Sequence, residues 1–300
     1  MTIYGVGYRS LQYEPTPMLA RLRAVADVEF RTLFRGKWGV AVFFLCLGPS
    51  IVSFVAMLVQ LGILQFGPPR AAEALQENMP QQPELLRFVP SSIHFYLRPV
   101  LVESLAPFLI LSALVSSRAI AKDVSVNALE LYWTRGITPR GYFLAKWAGS
   151  FALLAILCIG APFVLWVSGA FLAPDWTLLE TTAKFMPRAL LGLLVFTLVL
   201  SWMPVAFSAI AGTPNLASVF WVMLLIGSTS LGNLVAALLD SPSWAPVLSV
   251  WDSAGTLAGT IAGLPGASDQ VQGALLNLTF VVLALTWLAS RRMRMREAVA

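Results

Sequence analysis

The sequence predicts an all-α membrane protein. It should have six transmembrane helices, an N-terminal amphipathic interfacial helix, a short cytoplasmic helix and external re-entrant helices between the fifth and sixth spans. Three observations carry this. Of 300 residues 58% are apolar and only 12% charged, against about 25% charged in a soluble domain. Six apolar runs reach the ~20 residues that cross a ~30 Å hydrocarbon core. Fifteen of the twenty Lys and Arg residues fall on one side of the resulting topology, as the positive-inside rule requires.

The composition excludes a soluble enzyme, a disordered chain and a disulfide-stapled secreted domain, because so much apolar surface could not be hidden from water. Cys46 and Cys158 both lie in apolar runs, which argues against a structural disulfide. The single histidine, His94, cannot build a metal cluster with them. No cleavable signal peptide is expected, because the first apolar run follows a long polar lead.

Residues 1–37 form a basic lead. Thr16-Pro17 reads as a helix start, with Thr as N-cap and Pro at the first helical position. Met18, Leu22, Val25 and Leu33 then share an apolar stripe that Glu29 interrupts, while Arg21, Arg23, Arg31 and Arg35 supply a polar face. Such a helix lies along the inner headgroup layer. The remainder, 38–300, holds spans at about 38–66, 97–117, 142–169, 187–211, 216–239 and 271–290. Pro49, Pro107, Pro162 and Pro204 sit within spans, where they can kink or unwind helices. The external loop 67–96 contains a helical candidate at Ala71 to Met79. Segment 245–264 is apolar but broken by Pro246, Asp252 and three glycines, and reads as re-entrant or interfacial. A full span there would separate the basic N-terminal region from the tail arginines Arg291, Arg292, Arg294 and Arg296. With six spans both ends are cytoplasmic, and the net +5 resolves into +9 inside, −3 outside and −1 from Glu103. It is a vector across a bilayer, with no nucleic-acid partner implied.

Catalytic motifs are absent. The chain has no phosphate-binding loop, no H-E-x-x-H, no G-x-S-x-G and no Cys/His metal spacing. Glu103, near the outer end of the second span, is the one carboxylate within a span. It either meets a nearby cation such as Arg98 or lines a substrate path or gate.

The informative segment is the cytoplasmic loop 118–140. Ile120 to Tyr132 can form one short helix, with Gly136 and Pro139 breaking it before Tyr142 opens the third span. A short surface helix fixed between two spans is a lever for a soluble partner. The loop resembles the coupling-helix region of type-2 ATP-binding-cassette (ABC) exporter permeases. Asp123 fits the acidic position, Leu129, Glu130 and Leu131 the leucine-Glu turn, Ile137, Thr138 and Arg140 the following step, and Lys146 the lysine opening the next span. Asn127-Ala128 and Gly136 depart from the pattern, which usually has Gly-Thr and a proline there.

The resemblance implies a permease subunit in the plasma (inner) membrane that moves substrate using a separate ATPase. It implies a dimer of ABC ATPase subunits, a second permease copy or a homologous permease, and the lipid bilayer as partners. ATP and Mg would bind to the ATPase, and this chain would bind no cofactor. The expected ATPase contacts are Ile120, Asp123, Leu129, Glu130, Leu131, Arg135 and Arg140, with Glu103 as the translocation-path candidate. A non-transporting membrane scaffold or assembly factor shares the topology, and an intramembrane lipid-modifying enzyme is a further alternative. The substrate is not encoded in any span.

Overall fold

A computed structural model of the chain describes residues 17–35, 37–61, 63, 92–173 and 176–299. Every regular element among them is helical. Helix α1 (Met18–Thr32) precedes the first apolar run, which is a bent pair, α2 (Lys37–Cys46) and α3 (Gly48–Gln60). The second run is also a bent pair, α4 (Ile93–Leu101) and α5 (Leu105–Leu114). The following loop holds α6 (Ala121–Ser125) and α7 (Leu129–Thr134). Next come α8 (Pro139–Ala155), a π turn (Ile156–Gly160) and α9 (Ala161–Leu172). The chain continues through α10 (Thr177–Thr182), α11 (Met186–Ile210) and α12 (Pro214–Leu238). It ends with α13 (Ala245–Leu248), α14 (Val250–Ala262) and α15 (Val271–Val299). Among the described residues four helices, 139–172, 186–210, 214–238 and 268–294, are long and apolar enough to cross a membrane, and the count reaches six if each bent pair is one span. The external candidate at Ala71 to Met79 lies outside the described residues, as does Thr16.

Prolines explain most of the breaks. A proline has no N–H to give the carbonyl four residues back, and its ring crowds that carbonyl. Pro49 follows the break at Leu47, where the first pair bends by 43°. Pro107 follows the break at 102–104, where the second bends by 45°. The two bends touch, since the Cys46 thiol donates to the Pro107 carbonyl at 3.2 Å. Cys46 and Cys158 are both free and buried. Pro162 follows the π turn, whose wider ring absorbs the lost donor while the helix runs on. Pro204 sits inside α11 without a break. The same residue type also starts helices. Pro139 opens α8 instead of ending its predecessor, because Thr138 caps it by accepting from Gly141 N at 3.2 Å. The third helix therefore starts three residues before Tyr142. At α1 the proline stands one place earlier than the sequence suggests, with Pro17 at the N-cap and Met18 as first helical residue.

Segment 245–264 is a helical hairpin folded into the bundle. The thirteen residues of α14 span about 20 Å, too short to cross a bilayer alone. Ser249 forms the tip and caps α14 by accepting from Asp252 N at 3.1 Å. Thr229 of α12 bonds Ser249 at 3.1 Å, and Asn277 of α15 donates to Ser253 at 2.8 Å, so two neighbouring helices hold the tip through polar side chains. Trp251 packs edge-on against Phe108 and Phe196 at 5.5 and 5.1 Å. Its Nε1 donates at 2.9 Å to the Leu101 carbonyl, which the break in the second pair leaves free. Gly192 of α11 lies directly on the Ala258 carbonyl, an approach that any side chain would block.

A polar strip joins the second and fifth apolar helices. Trp221 Nε1 donates to Ser112 at 2.8 Å, Ser117 and Ser218 bond at 3.0 Å, and Arg118 donates to Asn215 at 2.6 Å. These residues recur at helical spacing, so they form one seam that ends where the 118–140 loop begins.

Candidate functional site

The loop predicted as one helix is two. Asn127 adopts φ 55° between α6 and α7. Asn127 N bonds the Val124 carbonyl at 3.1 Å and Ala128 N the Asp123 carbonyl at 2.8 Å. This is a Schellman ending, which needs a left-handed residue that Asn tolerates and most others do not. Gly136, at φ 70°, ends α7 in the same way. The two stops fold the loop back on itself and present the α6–α7 turn as a tip.

Helix α1 lies across the first turns of α8. It can do so because α8 offers Gly141 and Gly149, two turns apart. A Cβ at Gly149 would stand 2.5 Å from the Ala26 carbonyl oxygen and 2.8 Å from Glu29 Cβ. One at Gly141 would meet Leu22 at 3.3 Å. Small residues that bring two helix backbones together are the usual device of packing inside and beside membranes.

This contact buries a charged cluster. Lys146 of α8 is 3% exposed and Glu29 of α1 is 4% exposed. Lys146 Nζ stands 3.0 Å from Glu29 Oε2 and 2.9 Å from Asp123 Oδ2 of α6. The Tyr142 hydroxyl also donates to Asp123 Oδ2, at 2.6 Å. The Tyr132 ring of α7 stacks on Tyr142 with centroids 4.9 Å apart. One ammonium thus ties α1, α6 and α8 together. Two carboxylates against one ammonium leave an excess negative charge in a buried place. Burial accordingly raises the Glu29 carboxyl above the ordinary carboxylate range, and Lys146 opposes this without cancelling it. Burial and the nearby Asp123 charge also raise the Tyr132 hydroxyl above its ordinary value.

Further bonds hold the base of the loop. Ser208 of α11 accepts from Ile120 N at 2.8 Å and from Ala121 N at 2.9 Å, capping α6 with a side chain 87 residues away. Arg21 of α1 donates to the Arg135 carbonyl at the end of α7. Removing the hydroxyl would strand two buried N–H groups. Ser208→Ala is therefore expected to lower stability by about 2 kcal/mol, read as a lower thermal midpoint in detergent, whereas Ser208→Thr, which keeps the hydroxyl, should retain most of it.

The predicted site residues separate into two sets. Ile120 and Leu129 are buried, and Asp123 is engaged by Lys146 and Tyr142, so these three face the bundle. Glu130, Leu131 and Arg135 are exposed, and the tip adds Val126, which is 66% exposed beside Leu131 at 64%. Arg140 stands apart, exposed on the first turn of α8. Glu103 is at the opposite end of the bundle, paired across the 102–104 break with Arg98 at 2.7 Å. No family model matches the chain, and no curated protein matches it. Among the described residues no three His, Cys, Asp or Glu side chains gather as a metal site.

Sequence reasoning treated Glu29 as a flaw in an apolar stripe. The signal was there to read: a carboxylate on the packing face of α1 and a lysine inside the next apolar run demand each other. Ser208 carried no such signal, since nothing local marks a serine as the cap of a distant helix.

Proposed function

We propose that the chain is the transmembrane permease subunit of a type-2 ABC exporter, working as a pair of permeases with two separate ATPase subunits. ATP and Mg are bound and used on those subunits. The 118–140 loop is the coupling element, seated in a groove of the ATPase. The observation that carries the reading is the difference between the tip and the base of this loop. The tip offers exposed Val126, Glu130 and Leu131 with Arg135 behind them, a mixed apolar and charged patch fit for a protein partner. The base is bonded to α1, α8 and α11 at once. Motion imposed on the tip is thereby shared among three helices and is not lost in a flexible loop. ATP acts by binding one arrangement of the ATPase pair better than the other, and the loop transfers that preference. The broken second apolar pair, with Glu103 and Arg98 at its bend, is the proposed gate of the substrate path.

The test is assembly with the cognate ATPase, identified from its neighbouring gene. An interface hot spot is worth about 2 kcal/mol, roughly 30-fold in affinity. Glu130→Lys with Leu131→Ser should reduce co-purification and stimulated ATPase activity to that extent. The thermal midpoint of the permease alone should stay unchanged, because both side chains are exposed. Unaltered assembly and stimulation would sink the assignment.

A further inference from the structure

A cavity of about 260 Å³ opens between the start of α8, the middle of α11 and the end of α15. Its walls are Phe143, Leu144, Trp202, Ala289 and Met293, and Arg140 and Arg294 stand at its mouth. The polar atoms of the lining side chains are already committed. Trp202 Nε1 donates to Thr286 at 2.9 Å, the Thr286 hydroxyl donates to the Val282 carbonyl at 2.6 Å, and that of Ser290 to the Trp287 carbonyl at 2.8 Å. The floor is therefore dry and offers nothing to a polar ligand. Among the described residues neither arginine has a carboxylate within ion-pair distance. Arg294 makes only a long bond, 3.4 Å, to the Ser290 carbonyl. From Arg294 down to Thr286 the groove follows α15 for eight residues, about 12 Å.

We propose that this groove binds one anionic phospholipid, its phosphate held by Arg140 and Arg294 and one acyl chain laid along the apolar floor. Charge complementarity selects the occupant. Two guanidiniums with no carboxylate partner among the described residues suit a phosphate with several acceptor oxygens, and each can bond it through two N–H groups. An apolar slot opening between helices at their basic ends needs a chain attached to that phosphate. The N-terminus of α8, a seventeen-residue helix, adds positive potential at the same mouth. Because the lipid would bridge α8 and α15, it would brace the helix that carries Lys146 against the last helix of the bundle. This inference stands independently of the transport reading.

Native mass spectrometry of the purified full-length chain tests it, with phosphatidylglycerol and phosphatidylcholine of identical acyl chains as probes. The parent protein should retain one phosphatidylglycerol in preference by roughly 25-fold, from about fivefold per arginine. Arg140→Gln with Arg294→Gln should bring the two lipids to near parity. Arg291→Gln with Arg292→Gln, which changes neighbouring charges outside the groove, should leave the preference intact. Leu144→Asn should lower retention of both lipids while keeping their ratio. Equal retention of the two lipids by the parent chain, an unchanged preference in the Arg140/Arg294 variant, or displacement of the lipid by an equal concentration of soluble glycerol phosphate would overturn the proposal.

Discussion

Replacing Lys146 with methionine should be among the most damaging single changes in this protein. The side chain is buried, and its ammonium faces Glu29 and Asp123 within 3.0 Å. Without it two carboxylates share a site in which Glu29 is buried and Asp123 only 17% exposed. Removing one partner of a buried pair costs about 3–5 kcal/mol, since the remaining charge is uncompensated. For a chain of this size that is a drop of roughly 10 °C in the thermal midpoint, readable from tryptophan fluorescence in detergent. Neutralising the acids should repair it: Glu29→Gln and Asp123→Asn, added to Lys146→Met, should restore most of the loss. If the triple variant melts no higher than the single one, electrostatics is not what holds this junction.

The two acids differ in what they contribute. Glu29 titrates above the ordinary carboxylate range because burial penalises its charge. In that case the folded chain binds a proton that the unfolded chain has already released. The stabilisation from this group is complete below the ordinary carboxylate range and is lost as pH rises through the raised value. Glu29→Gln alone should therefore be tolerated at neutral pH and should flatten the dependence of the midpoint on pH in the acidic range. It keeps an oxygen to accept from Lys146 and leaves one acid against one ammonium.

A side chain at Gly149 should separate α1 from α8. The Cβ of Gly149→Val would run into the Ala26 carbonyl, a backbone atom that no rotamer change can move aside. Overpacking of this kind costs about 1–3 kcal/mol, and here the relief available is for α1 to lift off, stretching the Glu29–Lys146 pair. A cysteine in place of Val25, which is buried under α1, reports this directly. The native Cys46 and Cys158 are buried and should react slowly. Maleimide labelling of Val25→Cys should speed up by at least about tenfold in the Gly149→Val background, taking about 1.4 kcal/mol of undocking per factor of ten. Equal labelling rates would show that α1 is not held by this contact.

Both changes act on a junction only half visible in the one-dimensional pattern. Lys146 drew attention as the lysine that opens the third span, and Asp123 as an acidic residue in the loop before it. Glu29 reads in sequence only as an interruption of the stripe, and in the fold it is the partner of Lys146. Periodicity identifies a face but does not say what that face meets, and a carboxylate on an apolar stripe is wrong only until its partner is known. The loop shows the same limit. Composition and spacing predicted a short helix from Ile120, but its division at Asn127 depends on one residue's tolerance for positive φ. That tolerance is too common among asparagines to be decisive in sequence. Pro139, too, was legible as a break and not as a start. Pro139 ends nothing, because Thr138 stands before it with a free hydroxyl to cap the new helix.

By itself the sequence determined that this chain is helical, largely apolar and built on apolar runs long enough to cross a membrane; it predicts six, and among the described residues four are single helices and two are bent pairs. The reason is that hydrophobic length and charge placement are local sums, complete within each run of about twenty residues. Only the tertiary structure decided which polar groups meet. It paired Glu29 with Lys146 across 117 positions, put the Ser208 hydroxyl on the start of α6, folded the 245–262 hairpin into the bundle and opened a groove beneath Arg140 and Arg294. Those choices follow from packing. A buried charge or N–H has to find a partner wherever the helices bring one, and that location is set by every helix at once.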